Sequence, residues 1–79
     1  MIDARRKQIQ RALTLIGQAK DILVVATTQE QDDFGNMPED VQSDDEGERA
    51  EEVVDALERA AMFCDDAITA CEEAIMDFR

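Results

Sequence analysis

A chain of 79 residues and 8.9 kDa has room for one domain, spanning 1–79. Three Phe and no Trp or Tyr leave Ile, Leu, Val, Ala and Met to build the core, which favours helices over a sandwich. Twenty acids against eight bases, a net charge of -12 and a pI near 4.1 argue against direct binding to nucleic acid and in favour of basic partners.

From the start of the chain, MIDARRKQIQ lacks the apolar stretch of a signal peptide, and ILVVA at 22–26 is too short to cross a bilayer. A reducing cytoplasm is the expectation. Ile2, Ile9, Ile16 and Leu23 then recur every seven residues, with Ala12, Ala19 and Ala26 three positions after the last three and Leu13 widening the stripe. This spacing predicts a helix over about 3–33. Gly35 is expected to end it as a left-handed residue, and Pro38 cannot continue it.

The connection, about 34–43, places Phe34, Met37 and Val41 at intervals of three or four, so it is expected to fold back as a cap on the helix ends. Ser43 and Glu46 have the spacing of a capping box, and the acids from Asp44 to Glu52 suit a helix N-terminus. A second helix is therefore predicted over about 44–78. In it Leu57, Cys64, Cys71 and Phe78 recur every seven, followed three positions on by Ala60, Ala67 and Ala74, with Val54, Ala61, Ile68 and Ile75 alongside. The two thiols share a face but are separated by a rise of about 10 Å, too far for a disulfide.

The expected fold is all-α: an antiparallel, coiled-coil-like hairpin with an alanine-rich seam. A register in which residue i faces 78 minus i would set Arg5 and Arg6 against Glu72 and Glu73, Arg11 against Asp66 and Lys20 against Glu58. Leu15, Ile22, Val24, Val25, Val53, Met62, Phe63 and Met76 fall outside the seam. They need a second layer, which predicts a homodimer forming a four-helix bundle.

Charge divides unevenly along the chain: +3 over residues 1–27, -10 over 28–52 and -5 over 53–79. The bend is the electronegative pole. Candidate partner-binding residues there are Asp32, Asp33, Glu39, Asp40, Asp44, Asp45, Glu46 and Glu48, with Phe34, Asn36 and Met37 as less polar contacts. The same acids can also be read as solvating a loop and complementing a helix dipole. Arg5, Arg6, Lys7 and Arg11 form the alternative site, for an anionic nucleotide.

Enzymatic readings fail on the residues. The chain has no His, its glycines at 17, 35 and 47 are isolated, and neither cysteine has a neighbouring base. Aligning Gly47 with the invariant glycine of a calcium loop puts Gln42 and Val53 where acids are required. Glu51-Glu52-Val53-Val54-Asp55 resembles the magnesium element of all-helical nucleoside triphosphate pyrophosphohydrolases. The second E-x-x-D on a following helix is lacking. No metal or cofactor is expected.

Glu30, Gln31, Phe34, Asn36, Met37, Pro38, Glu39, Gln42 and Ser43 spell E-Q-x-x-F-x-N-M-P-E-x-x-Q-x-S. This connection resembles that of a group of short, acidic two-helix proteins encoded by phages and prophages, though Asp44, Asp45 and Glu46 depart from the pattern. The resemblance implies a viral origin and a bacterial host cytoplasm. Together with the charge, the expectation is a non-enzymatic binder that antagonises a host defence protein through an acidic, nucleic-acid-mimicking surface. The alternatives are a sponge for a nucleotide immune signal and a structural or assembly module.

Overall fold

The computed structural model describes residues 2–77; Phe78 and the side chain of Ile2, both assigned above to apolar stripes, lie outside the described positions. Two long helices, α1 (Ile2–Gly35) and α3 (Asp45–Asp77), flank the short α2 (Glu39–Gln42). The Cα trace measures 60 × 14 × 12 Å. Contacts fix the direction of pairing: Lys20 meets Asp65, Gln31 meets Glu58, and Phe34 lies beside Glu51 and Val54. Partner numbers fall as α1 numbers rise, so the helices are antiparallel.

The register differs from the expected one. Lys20 pairs with Asp65 at 2.5 Å in place of Glu58, a displacement of one heptad. In this register Arg5 and Arg6 lie beyond the level of Glu72 and Glu73, and Arg11 lies beyond Asp66. Arg5 and Arg11 form no ion pair with a described carboxylate. The connection explains the shift. Four of its residues coil into α2 and Pro38 opens that turn with φ -56° and ψ 150°, so the reversal takes up more residues than an extended loop would and Lys20 meets a residue further along α3.

The seam also differs in composition. In α1 the stripe is Ile9, Leu13, Ile16, Lys20, Leu23, Thr27, Glu30 and Phe34, half-buried except for the buried Thr27; in α3 the half-buried stripe is Val54, Leu57, Ala61, Cys64, Ile68, Cys71 and Ile75. Alternating steps of three and four put these residues on one stripe of each helix. Lys20 and Thr27 therefore occupy seam sites, whereas Ala19 is exposed. Both cysteines are free. Thr27 tolerates burial because its hydroxyl donates to the Leu23 carbonyl at 2.7 Å.

Both helix ends near the bend are built differently from the expectation. No glycine has positive φ, so Gly35 is simply the last residue of α1. The end is satisfied instead by Gln42, whose Nε2 donates to the carbonyls of Phe34 at 3.1 Å and Met37 at 2.9 Å. At α3 the cap is Asp44 and not Ser43: Asp44 Oδ1 accepts from the backbone N–H of Glu46 at 2.9 Å and of Gly47 at 3.4 Å. The Ser43 hydroxyl donates back to Glu39. Gly47 is buried because α2 sits on it; a Cβ there would lie 2.0 Å from the Gln42 carbonyl oxygen.

Candidate functional site

Phe34, Met37 and Val41 are half-buried, and they hold the connection against the end of the hairpin. Around them Asp32, Asp33, Glu39, Asp40, Asp44, Asp45, Glu46 and Glu48 are exposed, as is Asn36. The bend thus concentrates carboxylates on a small folded tip. Arg49, also exposed, forms no ion pair with them.

Helix electrostatics separates the acids at the ends of the two long helices into two groups, Glu39 and Asp40 lying in the first turn of α2. Asp45, Glu46 and Glu48 lie in the first turn of α3, where the dipole favours negative charge, and Asp44 does structural work as the cap. Asp32 and Asp33 lie at the opposite kind of terminus. The last turn of α1 contains no base, so these two carboxylates face the negative end of the dipole. Helix stability accounts for the α3 acids and leaves Asp32 and Asp33 unexplained.

Beside the tip, a shallow groove is lined by Gln31, Phe34, Glu51, Val54 and Asp55. Of these Phe34 and Val54 are half-buried, and Glu51 and Asp55, one helical turn apart on α3, are exposed carboxylates. Such a site fits a long basic side chain, whose aliphatic stem covers the ring while its cation meets the acids. Of the five lining residues only Phe34 is among the sequence candidates; Gln31, Glu51, Val54 and Asp55 are not, although the four-residue spacing from Glu51 to Asp55 carries the signal.

The alternative cationic site is more dispersed. Arg5, Arg6 and Lys7 are consecutive on α1, so their side chains leave the helix at intervals of about 100°. Arg6 is half-buried, whereas Arg5, Lys7 and Arg11 are exposed. Among the described residues, no group of three or more His, Cys, Asp or Glu side chains is placed to hold a metal ion. No described helix is long and apolar enough to cross a membrane. No family model, no curated protein and no solved structure matches the chain.

Proposed function

We propose that this protein is a non-enzymatic binder whose acidic tip and adjoining groove take basic side chains from a protein that normally holds nucleic acid. The observation that carries this reading is the groove of Phe34 and Val54 with Glu51 and Asp55, next to a tip where Asp32 and Asp33 oppose the helix dipole. A rigid helical frame spaces the carboxylates, so they imitate a phosphate backbone without a large ordering cost on binding. Two hairpins pairing into a four-helix bundle would hold two such tips. In this reading the protein is a phage product acting in the bacterial cytoplasm against a defence component of the host.

The test is capture from bacterial lysate on immobilised protein at low and high salt. A basic nucleic-acid-binding protein should be retained at low salt and released at high salt. Its retention should fall on replacing Glu51 and Asp55 by Lys, and on truncating Phe34 to Ala. Retention unchanged by these variants sinks the proposal. So does a thermal upshift with nucleotides that disappears in Arg5→Ala and Arg6→Ala, which is the signature of a signal-sequestering sponge.

A further inference from the structure

The two long edges of the hairpin are chemically unlike. One edge carries polar contacts, the Lys20–Asp65 pair and the Gln31–Glu58 hydrogen bond, with the exposed Val24 and Met62 between them, and it contains the Phe34 groove. On the other edge a second stripe runs beside the seam of each helix, again in steps of three and four. In α1 its middle is Ala12, Leu15, Ala19, Ile22 and Ala26; in α3 it is Ala60, Phe63, Ala67, Ala70 and Ala74. Both stripes have the same angular offset from the seam. In antiparallel helices equal offsets fall on the same side, so the two stripes make one apolar face. Leu15, Ile22 and Phe63 stand 53%, 69% and 67% exposed on it.

The α1 stripe reads almost the same in both directions from Ala19. Ala12 and Ala26 lie seven residues either side of it and Arg5 and Asp33 fourteen, while Leu15 with Ile22 and Gln8 with Gln29 match to within one residue. An antiparallel two-fold contact pairs residue i with j and j with i. Stacked on a second α1 in that sense, each residue meets its mirror partner: alanine meets alanine, Leu15 meets Ile22, and Arg5 meets a carboxylate. At the same level of α3, Phe63 of each copy faces the small side chains at Ala67 and Ala70 of the other.

We infer that this face binds a second copy of the chain across a two-fold axis perpendicular to the hairpin, with α1 on α1, α3 on α3 and the two bends at opposite ends. Charge at the bends selects this arrangement over the one with its axis along the bundle, outweighing the weaker attraction that the latter gains by setting residues 1–27, at +3, against residues 53–79, at -5. That alternative stacks α1 on α3 and brings together two bends that each hold a net -10 over residues 28–52. Contact along the whole flank of the hairpin, whose Cα trace extends 60 by 14 Å, would cover about 840 Å², close to the roughly 800 Å² per partner of a standard interface, with the apolar stripe at its centre and the Arg5–Asp33 pairs at its ends. The Phe34 groove lies on the other edge and stays open. The inference rests on the pairing proposed above; mass and Ala19→Cys crosslinking do not touch the acidic tip, and the Arg5–Asp33 reversal, which does, is read by association and not by capture of a partner.

The test begins with the molar mass of the full chain by light scattering at tens of micromolar, where a dimer is expected. With Cys64 and Cys71 replaced by Ala, the single variant Ala19→Cys should then join two copies through a short bismaleimide. Val24→Cys, away from the apolar face, should not. Arg5→Asp and Asp33→Arg should each weaken association by about tenfold, and the double reversal should restore it, with helicity followed by circular dichroism. A monomer at these concentrations overturns the inference. So does crosslinking of mixed Ala19→Cys and Ala67→Cys proteins without crosslinking of Ala19→Cys alone, or a double reversal that restores nothing.

Discussion

At the residue scale, single side chains settle where the helices stop. Asp44 accepts two backbone N–H groups at the start of α3, so Asp44→Ala should cost about 1 kcal/mol and lower Tm, whereas Ser43→Ala should change it little. Gln42 bonds two carbonyls at the end of α1. Gln42→Leu leaves both without that partner and should cost about 1–3 kcal/mol by denaturant titration. Lys20 sits on the seam, and its hydrogen bond to Asp65, together with the Asp65 charge, raises its pKa above the ordinary 10.5. A pKa raised on folding contributes stability that is complete below the ordinary lysine value and lost as pH rises through the raised one. Lys20→Met gives up this pair but places an apolar side chain on the seam, so it should keep or raise Tm at neutral pH, and a pH series should show that the alkaline loss has gone.

Glycine decides the fit of whole elements. At Gly47 the α2 backbone approaches within a distance that leaves no room for a Cβ, so Gly47→Ala must push α2 away from α3 and should cost about 1–3 kcal/mol. Gly17, in the middle of α1, has nothing within 4 Å of the corresponding point. There Gly17→Ala should stabilise the helix by about 0.8–1 kcal/mol. Thermal melts of the two variants should shift in opposite directions. The seven-residue periodicity made both long helices legible in the sequence. It did not reveal α2, because four residues are too few to show a period and the local pattern of Phe34, Met37 and Val41 indicates only an apolar cap.

The whole molecule is short of interior. Among the described residues no hydrophobic side chain is buried, and Thr27 at 8% exposure is the only polar or charged residue that is. A hairpin of this kind gains little stability from its own seam. Its Tm should therefore rise with protein concentration, as mass action requires when pairing completes the core. A Tm independent of concentration over a hundredfold range would mean that the hairpin stands alone.

The sequence by itself determined two helices, a reversal between them and a concentration of acids at that reversal, because periodicity, turn residues and charge are local properties of the chain. It also contained the signal for the groove carboxylates in the spacing of Glu51 and Asp55. Only the tertiary structure decided the register, since several offsets of two charged helices bring bases near acids and the length of chain taken up by the reversal selects among them. The division into a polar edge and an apolar edge was decided there as well. Which stripe becomes the seam depends on the angle at which the connection presents α3 to α1, and no single helix determines that angle.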